Sequence, residues 1–133
     1  GTFHPIMVED LSKHKMESEQ MIIDENAAKK INIALKNRKK VCAVGTTVMR
    51  SLETSVSTKR EVIPYDGWTN IFIFPPYDFK IASCMLTNFH LPKSSLMMQV
   101  SAFSGYELLT KAYKEAVKKK YKFHTFGDAM LIL

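Results

Sequence analysis

The sequence predicts a layered α/β/α domain around a mostly parallel sheet. Two observations carry that expectation. Short apolar runs recur along the chain: Met21-Ile22-Ile23, Val41 to Val44, Ile71 to Phe74, Ile81 to Leu86 and Ala129 to Leu133. Stretches with apolar residues at helical spacing stand between most of them. Strands that alternate with helices are joined by crossovers, and crossovers pair strands in parallel. A chain of 133 residues suits a single domain with a real though modest core.

Gly1 to Leu11 reads as a short, partly extended lead-in. Asp24 follows the first apolar run and is a plausible N-cap. Ala27, Ala28, Ile31, Ala34 and Leu35 then share one helical face, and the basic run Lys36 to Lys40 suits the helix C-terminus. Val41 to Val44 is a strand. Gly45 permits a tight turn, Thr46 or Thr47 caps the next helix, and Val48, Met49, Leu52 and Val56 form its buried stripe. Residues 57–68 read as a polar connector. Ile71 to Phe74 is apolar on both faces, as a covered central strand would be, and Pro75-Pro76 stops it. After Ile81 to Leu86 comes a polar corner, with Pro92 placed at the first turn of a helix that ends at Gly105. Ser104-Gly105-Tyr106-Glu107 has capping-box spacing. Leu108, Leu109, Ala112, Tyr113, Ala116, Val117 and Tyr121 are expected to face inward from the last helix.

The net charge is +6, and basic residues attract phosphate backbones. A basic solvated surface meets the same observation. No apolar run approaches the length of a membrane span. Cys42 and Cys84 sit in apolar runs and read as reduced core thiols, which fits the cytoplasm. The histidines at 4, 14, 90 and 124 lack metal-ligand spacing, so no metal is expected.

The corner Thr87-Asn88-Phe89-His90-Leu91-Pro92-Lys93-Ser94 concentrates the chemistry. Ligands bind at such strand-to-helix corners in open α/β sheets. His90 is the candidate proton-transfer group. Thr87 and Asn88 are suited to position a polar substrate, Lys93 to hold an anion, and Ser94 to cap or bind. Gly45-Thr46-Thr47 is a strand–turn–helix start whose amides favour an anion or a polar ligand edge. It lacks the glycines and Gly-Lys pair of a phosphate-binding loop. Arg50 and Glu53 occupy neighbouring helical positions and either pair or bind. Asp128, beside Gly127, is a turn residue or a partner for His90. His14 and Glu19 form a further polar pair. Trp68, Tyr65 and Tyr77 read as core lids or stacking surfaces.

Four segments in order, His14 to Glu19, Val44 to Glu53, Thr87 to Ser94 and Phe126 to Met130, resemble the S-adenosylmethionine:tRNA ribosyltransferase-isomerases of queuosine biosynthesis. The resemblance runs nearly the whole chain. In that family the Gly-Thr-Phe-x-Pro pattern of Gly1 to Pro5 lies in mid-chain, so the sequence looks like the C-terminal part of a longer enzyme. The sequence departs from the family pattern at Pro76, Ser83, Glu17 and Tyr106.

The resemblance implies an α/β domain whose inserted β-rich domain is absent from this chain. It implies transfer and isomerisation of the ribosyl group of S-adenosylmethionine onto 7-aminomethyl-7-deazaguanine in the tRNA anticodon loop, giving epoxyqueuosine. S-adenosylmethionine is then a substrate, and no true cofactor is implied. His90 and Asp128 become catalytic candidates. Gly45, Thr46, Thr47, Arg50, Glu53, Thr87, Asn88, Lys93 and Ser94 become substrate-binding candidates, with His14 and Glu19 behind them. A noncatalytic or divergent RNA- or nucleotide-binding module is the alternative. The oligomeric state stays open.

Overall fold

The computed structural model describes residues 5–133; Gly1 to His4, the head of the lead-in, lie outside them. Leu11–Lys13 form a single 3-10 turn. Strand β1 (Glu19–Ile23) turns Met21 and Ile23 inward and leaves Ile22 exposed. Asp24 caps α1 (Glu25–Lys36), its carboxylate accepting the Ala27 amide at 2.6 Å. Strand β2 (Cys42–Val44) leads into α2 (Thr46–Thr54). Strands β3 (Tyr65–Thr69) and β4 (Cys84–Asn88) follow. Helices α3 (Ser95–Ser104) and α4 (Tyr106–Lys118) meet at Gly105, and β5 (Ala129–Ile132) ends the fold.

The class is mixed α/β, but the pairing departs from a mostly parallel sheet. Among the described residues, β2 and β4 pair in parallel, whereas β4–β5 and β1–β3 pair antiparallel. The strands form two sheets, β2-β4-β5 and β1-β3. The reason lies in the helices. Two in succession, rather than one crossover helix, separate β4 from β5. They return the chain to the end where β4 stopped, so Asn88 pairs with Ala129 and β5 runs back.

Other expectations fail for local reasons. The connector contains β3, held by β1, and a bridge between Val56 and Val62 that buries Val62. Ile71 to Phe74 is not a strand. No neighbouring strand pairs with it among the described residues. The fourth strand starts later than predicted and takes in Thr87 and Asn88.

Helix α2 is preceded by Gly45 at its N-cap, not by a threonine cap, and Val48 is exposed. Pro92 lies before α3 rather than in its first turn. Ser104 donates back to the Val100 carbonyl instead of capping α4. Leu108, Val117 and Tyr121 are exposed, leaving Leu109 and Ala116 as the buried residues of α4. Cys42 is exposed because β2 alternates, with only Ala43 of its three residues inward; Cys84 is buried and both thiols are free.

The core gathers Met21, Ile23, Ala28, Val41, Ala43, Met49, Leu52, Met85, Val100 and Leu109 from both sheets and all four helices described. Removing this apolar surface from water is the main stabilising term. Its functional consequence is rigidity. β2 and β4 end side by side, and the polar corners after them are held in register.

Candidate active site

The site forms where parallel β2 and β4 end. The Gly45 amide donates to Leu86 O at 2.8 Å, which carries the ladder one step past Val44. Gly45 then turns the chain at φ +97°, a conformation open to glycine and rarely to other residues. Thr46 follows as the first residue of α2 and is buried. Gln99, buried on α3, donates its side-chain amide to Thr46 O at 2.9 Å and fixes this turn against the next helix.

Across from it, the Thr87 hydroxyl lies 2.8 Å from His90 Nε2. The His90 amide donates to the Tyr113 hydroxyl at 2.7 Å, so α4 holds the corner's backbone. Ser94 caps α3: its hydroxyl accepts the Met97 amide at 3.1 Å and donates to Leu91 O at 2.7 Å. A cavity of about 550 Å³ opens here, lined by Thr46, Asn88, His90, Lys93, Ser94 and His124 among others. Burial, with the neighbouring His124 adding to it, brings the His90 imidazole down to about 4. His90 is therefore neutral at pH 7, with an unprotonated ring nitrogen.

Several predicted residues fall elsewhere. Thr47 lines a separate cleft with Glu19 and Arg50. Arg50 and Glu53 do not pair. Arg50 is buried and bonded to Glu19, Nη1 to Oε2 at 3.3 Å. Glu53 is buried and receives the Lys80 and Ile81 amides at 3.0 and 3.3 Å. Burial raises its carboxyl despite those amides. Its task is to anchor the segment after Pro75-Pro76.

Asp128 is not among the residues lining the His90 cavity. Its carboxylate accepts the Lys122 amide at 2.7 Å, and its own amide donates to Lys122 O at 2.8 Å. It closes the 122–128 loop, and Asn88 reaches that loop by donating to Asp128 O at 3.2 Å. His14 packs its ring 4.8 Å from that of Phe72. Among the described residues no His/Cys/Asp/Glu cluster has the makings of a metal site.

His124 is the residue that sequence reasoning passed over. Its amide donates to Phe89 O at 3.0 Å, and its backbone is left-handed at φ +72°. That bond brings the loop back over the corner and sets a second imidazole beside His90. Only its place just before Phe126-Gly127-Asp128 gave a hint.

The family model described as "Queuosine biosynthesis protein" matches residues 1–132. The S-adenosylmethionine:tRNA ribosyltransferase-isomerases of Flavobacterium psychrophilum and Cytophaga hutchinsonii are each 59% identical over 133 residues, all of this chain and 38% of each relative. The corresponding protein of Caldanaerobacter subterraneus is 52% identical across the whole chain. The crystal structure of an S-adenosylmethionine tRNA ribosyltransferase from Thermotoga maritima superposes with a TM-score of 0.78 at 44% identity, covering 84% of this chain and 39% of that one. The chain thus spans about two fifths of the length of the curated relatives it matches. With residues 1–132 matched by the family model, this chain belongs to the queuosine biosynthesis protein family.

Proposed function

We propose that this chain supplies the proton-transfer corner of an S-adenosylmethionine:tRNA ribosyltransferase-isomerase. The observation that supports it best is His90, neutral and anchored by Thr87, facing the Thr46 turn across one cavity. The reaction would move the ribosyl group of S-adenosylmethionine onto 7-aminomethyl-7-deazaguanine at the tRNA wobble position, with methionine and adenine leaving.

The residues suit the demands of that chemistry. A sulfonium acidifies the adjacent ribose C5′ protons, and His90 is the base that takes one. The leaving adenine needs a proton, and His124 is the second imidazole at the same opening. Asp128 acts by holding the 122–128 loop that carries His124. Thr46 and Asn88 offer polar edges to the nucleoside, and Lys93 offers a cation at the rim. Holding the amine nucleophile close is a positioning task. S-adenosylmethionine enters as a substrate, consumed in the reaction.

The anticodon loop is the tRNA element that fits, because unpaired loop bases are read by stacking and edge hydrogen bonds. Trp68, 63% exposed on β3, is available to stack. The net charge of +6 favours a polyanion, and a tRNA-modifying role supports a cytoplasmic location. The rest of the length of the relatives is where the inserted β-rich domain belongs. The deciding experiment is adenine release from S-adenosylmethionine by the full-length protein with substrate tRNA. His90→Gln should lower it at least about 100-fold. Turnover at the wild-type rate would remove His90 from the reaction.

A further inference from the structure

A buried cation behind the His90 cavity has half of its hydrogen-bonding edge unused. Arg50 is 3% exposed, and its Nη1 is bonded to Glu19. Its Nε and Nη2 have no hydrogen-bond partner. These two nitrogens form one edge of the guanidinium, the fork that matches both oxygens of a carboxylate. The hydroxyl of Ser95, 4% exposed, is likewise without a partner. Leaving buried donors unsatisfied is costly, and doing so at a cation costs more.

The orphaned groups share one place. Arg50 and Ser95 both line a narrow cleft, walled by Met16, Phe72, Leu96 and Gln99 and too tight as it stands to hold a water molecule. Leu96 also lines the His90 cavity, and Gln99 is bonded to Thr46. The cleft and the cavity are therefore neighbours, with Leu96, which lines both, as their shared partition. Ser95 and Leu96 open α3, where first-turn amides lack partners within the helix and favour negative charge.

We propose that the Nε/Nη2 edge of Arg50, with the Ser95 hydroxyl, receives the α-carboxylate of the amino-acid arm of S-adenosylmethionine. This inference rests on the ribosyl-transfer reading and names the group that holds the donor's far end. With the sulfonium beside His90, the arm would pass the Leu96 partition after the flexible Leu96 and Met16 side chains rotate. An RNA phosphate is the wrong occupant, because a polymer backbone does not reach a guanidinium this deeply buried.

The test is calorimetric titration of the full-length protein with S-adenosylmethionine and with its decarboxylated analogue. The wild type should bind the intact compound about 10- to 100-fold more tightly. Arg50→Gln and Arg50→Lys should erase that preference, and thermal unfolding shows whether the variants are folded. Ser95→Ala should reduce the preference partially. Equal affinities in the wild type, or a preference that survives both Arg50 replacements, overturns the proposal. Should the Arg50 variants fail to fold, the wild-type comparison and Ser95→Ala decide it. If the wild type binds neither compound, the ribosyl-transfer reading falls with it. Binding without discrimination removes the Arg50 assignment alone.

Discussion

The Thr87 hydroxyl lies 2.8 Å from Nε2 of His90, three residues further along the chain. The last turn of strand geometry in β4 thus holds the imidazole that follows its corner. Thr87 is buried and register-locked opposite Met130, so it is a fixed partner for a ring at the cavity wall. Thr87→Val keeps the shape and removes the hydroxyl. On the proposed ribosyl-transfer reading, it should lower kcat for adenine release by the full-length protein about 10-fold or more, while changing stability by about 1 kcal/mol. Parallel kinetics and thermal unfolding separate the two effects.

The depressed His90 basicity has a signed consequence for stability. The folded protein holds this imidazole neutral down to about 4, whereas an unfolded histidine protonates near 6.5. The unfolded state therefore binds more protons between those values, and stability falls as pH drops through that window. The contribution is present in full above 6.5 and amounts to about 1–3 kcal/mol after allowance for partial exposure. Denaturant titrations at pH 7.5 and 5 should show the loss in wild type and a flatter profile in His90→Gln. An equal slope in both would contradict it.

Glu53 tests the opposite sign. Its buried carboxyl is raised above the ordinary 4.5, so its ionised form is the disfavoured one in the fold, and stability declines as pH rises through the raised value. Its two oxygens nevertheless serve three donors: the Lys80 and Ile81 amides and the Tyr77 hydroxyl. Glu53→Ala should cost about 3 kcal/mol, since those donors lose their acceptor within the protein. Glu53→Gln retains an acceptor oxygen and should cost less. Chemical denaturation of the three proteins ranks them.

Gly45→Ala isolates backbone geometry from crowding. A Cβ at Gly45 meets nothing within 4 Å, yet φ there is +97° with ψ 148°. The loss of stability should be about 1–3 kcal/mol and come from strain alone. A crystal structure of the variant should show the Thr46 turn displaced from Gln99. An unchanged Tm would refute the strain account.

Asn32 holds the segment that the sequence presents as a loose connector. Its side chain both donates to and accepts from the Val62 backbone, at 2.8 Å each way. Asn32→Ala should destabilise the protein by about 1–3 kcal/mol and raise amide exchange in residues 57–64. Exchange confined to other segments would show that the pair does not tie the connector to α1.

The sequence was a good guide wherever a signal is local. The periodic stretch from Glu25 to Lys36 is a helix because its apolar face and its Asp24 cap lie within a few residues of each other. Ser94 before α3 and Gly45 after β2 were legible for the same reason. Ile71 to Phe74 was not, because a strand exists only when a neighbour accepts its amides, and the place beside β1 is filled by β3. Aromatic and β-branched composition does not reveal that competition.

The site divides along the same line. That the chain is mixed α/β, that its polar corner follows an apolar strand, and that its motifs place it in its family were settled by residue order alone. Which of those residues meet was settled by the third dimension. Thr46 lines the His90 cavity while its neighbour Thr47 lines a cleft with Arg50, because consecutive residues at a helix start point to different sides. Asp128 turned to its own loop and His124 took the place beside His90, since a short carboxylate satisfies the nearest amide first. Pairings across tens of residues depend on packing and solvent exclusion, and a one-dimensional pattern carries neither.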